Sequence, residues 1–319
     1  MGVVIRVAVV GGGQNCEHEV SLDSAASVAA ALDPARYDVV RVTIGADGSW
    51  RGPGVACLAD AVRLLASCDV VLPIVHGPRG EDGALAALCD FAGVPVAGSG
   101  LGAGALAMDK WATKLVAASV GVRVAPAVLV RAGDEAPPAP LPVVVKPVAA
   151  GSSRGVTLVS DPGGLEAALE LALSFDDRAL VEPVIGGREV DLAVLALPGG
   201  GRRVGPALEI VGDGVFDYRA KYAGPPPFVL PAPLAAAERA ALERDAVTMF
   251  DALGCRGVAR VDFFLTADGP VLNEVNTMPG MTAHSQVPKM FEADGLPYPG
   301  LLDLLVEEAL ARHPVAVLA

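Results

Sequence analysis

A chain of 319 residues with 52% hydrophobic but only 4% aromatic content has room for two or three domains built on Ala, Val and Leu cores. No apolar run approaches the roughly 18 residues that cross a bilayer, and a formal charge of −13 argues against nucleic acid as a partner, because phosphate backbones are held by basic surfaces. Its five cysteines form no C-x-x-C pair and its four histidines no H-E-x-x-H spacing, which disfavours disulfides and zinc and fits a reduced, cytoplasmic protein.

In chain order, residues 3–10 read as a first strand, without the basic flank and cleavage site of a signal peptide. The strand runs into G-G-G-Q-N-C, where Cys16 occupies the sixth position and breaks the dinucleotide-binding fingerprint. A helix follows, with Ser21 predicted as its N-cap and Leu22, Ala25, Ala26, Ala29 and Ala30 as its apolar stripe. Glu17 and Glu19 stand before it, where a helix dipole favours negative charge. Strands are predicted at 38–44 and 69–75 with a helix between them, then a helix at 83–92 and a short strand at 94–97. This β-α-β-α alternation implies a parallel sheet. His76, in H-G-P-R-G-E-D-G, lies at a strand's C-terminal end, where open α/β sheets bind ligands.

Beyond Gly98-Ser99-Gly100, two short Ala-rich helices flank Met108-Asp109-Lys110. Only Lys110, Lys114, Lys146, Lys221 and Lys289 are lysines among 24 basic residues. Lysine is a compact point charge suited to a phosphate oxygen, so each one is weighed as a phosphate contact against the alternative of an ordinary surface lysine. Strands near 126–130 and 142–146 are joined by a Pro-rich connection, and the second ends at Lys146 ahead of the flexible loop Gly151–Gly155. Amides and hydroxyls in such a loop can wrap phosphates, though a plain hairpin has the same composition. Glu182 ends the next strand and Glu189 enters the one after it. A polar, Gly- and Pro-rich excursion at 211–232 has the length of a lid or binding loop. Helices are expected at 233–253 and 299–311.

Between those helices, residues 260–286 carry the strongest chemical signal. Two apolar runs flank A-D-G-P and predict a β-hairpin interrupted by Arg260, Asp262, Glu274 and Asn276. Glu274 and Asn276 are two apart and share a strand face. A three-residue loop, Ala267-Asp268-Gly269, would set Asp262 opposite Glu274. Two carboxylates and an amide oxygen would then converge as hard ligands suited to Mg2+. The alternative is a hairpin whose polar face is merely wet; the apolar residues between the polar ones argue for burial, and buried carboxylates need a partner or a metal.

With these blocks in order, the chain resembles the D-alanine–D-alanine ligases of the ATP-grasp superfamily. The resemblance rests on E-H-E-V-S-L-D-S, H-G-x-x-G-E-D-G, G-S-G with M-D-K, V-V-K-P with G-S-S-x-G-V, F-D-Y-x-A-K-Y, R-V-D-F, and N-E-V-N-T-M-P-G-M-T with H-S. It covers nearly the whole chain, and implies an α/β fold with an N-terminal parallel domain at 1–98, then central (99–181) and C-terminal (182–319) domains whose antiparallel sheets sandwich ATP. The implied activity is ATP-dependent joining of two D-alanines for peptidoglycan, in a cytoplasmic homodimer that binds neither nucleic acid nor membrane.

Residue by residue, the resemblance implies that Lys110, Lys146 and Lys221 contact phosphates. It implies that Glu182 and Glu189 anchor adenine and ribose with Phe264 packed on the base, and that Ser153, Val184 and Asn273 complete the nucleotide contacts. Asp262, Glu274 and Asn276 would hold two Mg2+ ions, with Mn2+ as a substitute. Glu17 would hold the first D-alanine's ammonium in a network with Ser152 and Tyr222, near His76. Arg260 and the Gly280 amide would form the oxyanion site, and Ser285 with Gln286 would take the second substrate's carboxylate. The chain departs from the family pattern at Ala150, where many members carry Glu, and at Pro183, often Lys. The resemblance further implies that Tyr222, in A-K-Y of the expected lid, favours the dipeptide over a depsipeptide product. The competing readings are another ATP-grasp carboxylate–amine ligase, which would differ around Glu17 and Ser285, and a non-catalytic nucleotide-binding protein, which would lack a metal ligand.

Overall fold

The computed structural model describes residues 4–138, 140–212 and 227–312. It holds three sheets. In the first, β1 (Ile5–Gly12) lies between β2 (Tyr37–Ile44) and β4 (Val70–Pro73), parallel to both, with β3 (Trp50–Arg51) antiparallel at the edge. Four residues of β1, Val7 to Val10, are essentially inaccessible to solvent, as a strand covered on both faces requires. The segment at 94–97 does not become a strand; it contributes one parallel bridge, Val71 to Val96.

The helix expected after β1 spans His18–Ala31, one turn earlier than Ser21 would place it. Glu17 is its N-cap residue and makes no side-chain cap hydrogen bond. Ser21 is instead fully buried inside the helix, where its hydroxyl accepts from the Gly12 amide at 2.8 Å and donates to the Ile74 carbonyl. The buried face is Ser21, Ser24, Ala25 and Val28, while Ala26 and Ala30 face outward. Tertiary hydrogen bonds therefore draw two serines inward that local propensity assigns to a cap and to a polar face.

The second sheet is antiparallel in the order β5 (Val128–Arg131), β8 (Arg178–Pro183), β6 (Val143–Pro147), β7 (Thr157–Val159). A helix, Leu165–Leu173, seals one face with a small core around Val143, Val145, Ala168 and Ala172. The strand carrying Glu182 belongs to this sheet. The third sheet runs β12 (Phe228–Val229), β11 (Leu208–Ile210), β9 (Arg188–Ala196), β13 (Val258–Thr266), β14 (Gly269–Asn276), with β10 (Arg202–Val204) also on β9. Of the excursion expected at 211–232, residues 213–226 lie outside the described residues, and 228–229 form an edge strand.

Helix Ala236–Ala252 packs on β9, β13 and β14 through Leu242, Ala246, Met249 and Phe250. Helix Tyr298–Arg312 packs against the first sheet and shares a core with β9 residues Ala193 and Leu195. That shared core sets the first sheet and the third in fixed register. No helix among the described residues is long and apolar enough to cross a membrane.

The β13–β14 hairpin pairs Asp262 with Glu274 and Arg260 with Asn276, as the spacing predicts, but by another route. Its turn is the two-residue Ala267-Asp268, since Thr266 pairs with Gly269. A bulge then shifts the register, with Phe263 opposite Leu272 and Asn273 left as the extra residue. Gly269 does take a positive φ, +106°. A one-residue slip reverses a strand's faces, so the bulge restores what the shorter turn would undo. It also turns two consecutive side chains, Asn273 and Glu274, toward one cleft.

Candidate active site

Of the sequence-predicted site residues that fall among the described residues, all but His76 line a single cleft of about 1040 Å3. The cleft lies between the second and third sheets and is closed at one end by the first sheet's loops. Lys221 and Tyr222 lie outside the described residues.

At the closed end, Glu17 Oε1 accepts from Ser152 Oγ at 2.6 Å, across 135 positions of sequence. Ser152 and Ser153 both hold positive φ values, 53° and 54°. Such backbone is uncommon for non-glycine residues and clusters at functional sites. Gly77 and Gly151 press against the Glu17 carboxylate: a Cβ on either would overlap Oε2. His76 sits behind this wall. It is buried, its Nδ1–H donates to the Met278 carbonyl at 2.8 Å, and its Nε2 accepts from Ser24 Oγ at 3.0 Å. Burial lowers its pKa more than its carbonyl partner and Glu17 raise it, so it stays neutral and fixes the Met278 loop.

Glu81, which motif reading quoted but did not single out, lines the cleft beside Glu17. It accepts from the amides of Gly77 at 3.2 Å and Met278 at 3.3 Å. Burial, then the charge of Glu17, pushes its carboxyl from an ordinary 4.5 up to about 7. A folded value above the unfolded one means that this group's contribution to stability is complete below about 4.5 and is lost as pH rises through 7. Glu81→Gln is therefore expected to gain up to about 3 kcal/mol on the wild type between pH 4 and pH 8 in Mg2+-free buffer. Thermal melts of both proteins across that range check it; parallel curves would contradict it.

On the second sheet, Glu182 is 6% exposed and bracketed by two ammonium groups, Lys114 Nζ on Oε1 and Lys146 Nζ on Oε2, each at 3.0 Å. Burial opposes its ionisation more than any single neighbour favours it, yet Lys146 and Lys114 together hold its pKa below the ordinary value. Lys146 also reaches Asn273 Oδ1 at 3.4 Å. Lys110 begins helix Lys110–Ser119, which Asp109 caps through the Ala112 amide at 2.8 Å. Its Nζ reaches Glu274 Oε2 at 3.2 Å and the Ala150 carbonyl at 3.1 Å. Beyond Glu182, Val184 lines the wall, and Glu189 faces Phe264 in the β9–β13 register.

On the third sheet, Arg260 grips both oxygens of Asp262 at 2.7 Å, donates to Gln286 Oε1 at 2.8 Å and lies 3.7 Å from Asp191. Asp191, which sequence reading missed, is 2% exposed and pairs with Asp262 in the β9–β13 register. Burial works against the guanidinium charge, but Asp262, then Asp191 and Glu274, keep it protonated far above any working pH. Gly280 abuts Ser285, whose hydroxyl accepts from the Thr282 amide at 3.1 Å. Ser285 is also the N-cap residue of a helix, Gln286–Ala293, that sequence reading left out.

Asp262, Glu274 and Asn276 offer hard oxygen donors on one face of the hairpin. Asn276 Nδ2 donates to Asp262 Oδ2 at 3.0 Å, which leaves its oxygen as the end for an outside partner. A carboxylate has about four lone-pair sites, and Asp262 uses three on Arg260 and Asn276, so about one remains for a cation. No group of three His, Cys, Asp or Glu among the described residues forms a metal cage. The set therefore fits a cation that takes a few carboxylates and completes its shell with phosphate and water, which is the habit of Mg2+.

Residues 6–61 match the family model described as the D-ala D-ala ligase N-terminus, and residues 134–307 match that of the D-ala D-ala ligase C-terminus. The D-alanine–D-alanine ligase of Nocardia farcinica is 41% identical, with 97% of this chain and 98% of the relative covered. That of Streptomyces coelicolor is 39% identical over 96% of this chain and 93% of the relative. Among solved structures, the VanG D-Ala:D-Ser ligase of Enterococcus faecalis superposes with a TM-score of 0.84 at 33% identity, covering 96% of this chain and all of that one. The D-alanine–D-alanine ligase of Coxiella burnetii gives 0.85 at 30%, with 98% and 95% covered. The Bacillus anthracis D-alanine–D-alanine ligase complexed with ATP gives 0.81 at 26%, with 96% and 98% covered.

Proposed function

The chain belongs to the D-alanine–D-alanine ligase family, and on that premise we propose that its cleft joins two D-alanines at the expense of ATP, supplying D-alanyl-D-alanine for peptidoglycan. It is an ADP-forming carbon–nitrogen ligase of the ATP-grasp fold. The observation that carries the reading is the convergence, in one cleft, of an acid–hydroxyl pair (Glu17 with Ser152) and a line of lysines ending at Asp262 and Glu274.

A carboxylate is a poor electrophile. The γ-phosphoryl group of ATP passes to a carboxylate oxygen of the first D-alanine, leaving ADP and an acyl phosphate. Lys110 and Lys146 balance charge on the phosphoryl oxygens, a task of positioning and electrostatics. Glu17 receives the first substrate's ammonium and Ser152 orients that carboxylate. The second D-alanine, with Ser285 and Gln286 on its carboxylate, attacks the carbonyl through its deprotonated amine. Arg260 and the Gly280 amide stabilise the tetrahedral oxyanion, and inorganic phosphate leaves as the peptide bond forms. Mg2+, when bound, neutralises phosphate charge during transfer, and Asp262, Glu274 and Asn276 are the residues that would hold it.

The same reading assigns Glu182, Val184 and Glu189 to the adenosine, with Phe264 against the base and Ser153 and Asn273 near the phosphates. It takes two Mg2+ ions, Mn2+ as a substitute, a cytoplasmic homodimer, and domains at 1–98, 99–181 and 182–319. It gives Lys221 a phosphate contact, His76 a place behind the first substrate, and Tyr222 a role in selecting an amine over a hydroxyl.

The deciding assay is phosphate release from ATP and Mg2+ with D-alanine, D-serine or D-lactate, followed by mass spectrometry. Release that depends on D-alanine, with D-alanyl-D-alanine as the main product, is expected. Release with another acceptor, or none with D-alanine, would leave the fold and remove the substrate. Gly151→Ala, whose methyl would push Glu17 off Ser152, is expected to weaken D-alanine binding by about 10- to 100-fold. The KM for D-alanine checks it.

A further inference from the structure

Lys114 is not on the cleft surface, yet it holds a residue that is. It sits one helical turn beyond Lys110, is 6% exposed, and its Nζ is fixed at 3.0 Å from the Ala125 carbonyl as well as from Glu182 Oε1. A buried ammonium held by a backbone carbonyl has little freedom to leave. Lys146 differs. It lines the cleft, bonds the other Glu182 oxygen, and is the ammonium placed to move onto a bound phosphate.

Were Lys146 the sole partner of Glu182, drawing it to phosphate would strand a buried carboxylate, which would take up a proton. A protonated Glu182 would present a donor where an acceptor stood. With Lys114 in place on the buried Oε1, Glu182 keeps one fixed counter-ion whichever way Lys146 points, and Oε2, which Lys146 holds, is the oxygen left to accept from the cleft. Burial lowers the Lys114 pKa and Glu182 raises it, which ties the charge of each to the other.

We propose that Lys114 is a positioning residue for nucleotide selection: it pins Glu182 as a carboxylate, so that the base edge of the cleft accepts hydrogen bonds and takes a 6-amino purine in preference to a 6-oxo purine. The inference rests on the cleft being the ATP site. Sites built to pair one polar edge reject the analogue that leaves them unpaired.

The test uses the full chain and equilibrium binding of ATP and ITP, alongside phosphate release. Lys114→Met, close in length and uncharged, is expected to weaken ATP binding about tenfold or more and to shrink the ATP-to-ITP preference by at least as much. The KM for ATP should rise by a larger factor than kcat falls. A purely structural role would weaken both nucleotides alike, and an unchanged ATP-to-ITP ratio overturns the proposal. Should Lys114→Met fail to fold, Lys114→Met with Glu182→Gln removes both charges together. That double variant is expected to bind the two nucleotides with near-equal affinity, and wild-type preference in it overturns the proposal. Wild-type protein that binds no ATP would instead fail the reading of the cleft, a different result from ATP binding with an unmoved ratio.

Discussion

Replacing Glu274 by Gln is expected to lower D-alanine-dependent phosphate release by about 1000-fold or more while leaving the fold in place. The substitution keeps size and one oxygen but removes the charge that faces Lys110 at 3.2 Å and would face the metal. Glu274 is partly exposed in the cleft, so the change leaves no cavity and strands no deeply buried group. A melting temperature within a few degrees of the wild type, with turnover lost, would locate the effect in the chemistry. Turnover near the wild-type level would remove Glu274 from the metal set.

Arg260→Met should fail differently, in stability as well as in rate. The guanidinium is the shared partner of Asp262 and Asp191, which are 3% and 2% exposed. Removing one partner of a buried ion pair leaves uncompensated charge, typically costing about 3–5 kcal/mol. Loss of an oxyanion donor adds about 100- to 1000-fold in kcat. Denaturant unfolding in Mg2+-free buffer checks the first effect. Adding Asp262→Asn to Arg260→Met should recover a large part of the stability and none of the activity. If the single variant is as stable as the wild type, Arg260 does not carry the charge balance proposed for it.

Much of the site was legible because its signals are local. The alternation Arg260, Asp262, Phe264 on one strand and Glu274, Asn276 on the next places their side chains by strand period alone. Lys146 ahead of Gly151–Gly155, and the pair Glu182 and Glu189, were marked by position at strand ends. The register was reached by compensating differences: a turn one residue shorter and a bulge at Asn273. Sequence spacing fixes the sum of those two and cannot apportion it. Ser21 went astray because serine suits a cap locally, whereas the carbonyl it bonds, Ile74, is 53 residues away.

By itself, the sequence determined the β-α alternation and parallel character of the first sheet, the hairpin that carries the metal candidates, and the family, because each depends on residues near one another or on motifs read in order. Only the tertiary structure decided which charges meet. Glu182 between Lys114 and Lys146, Arg260 between Asp262 and Asp191, Glu17 against Ser152, and Glu81 with its carboxyl pushed up to about 7 are all products of burial and of distances across the chain. Electrostatic partners are set by separation in space and by the water left between them, and neither quantity is written in the order of the residues.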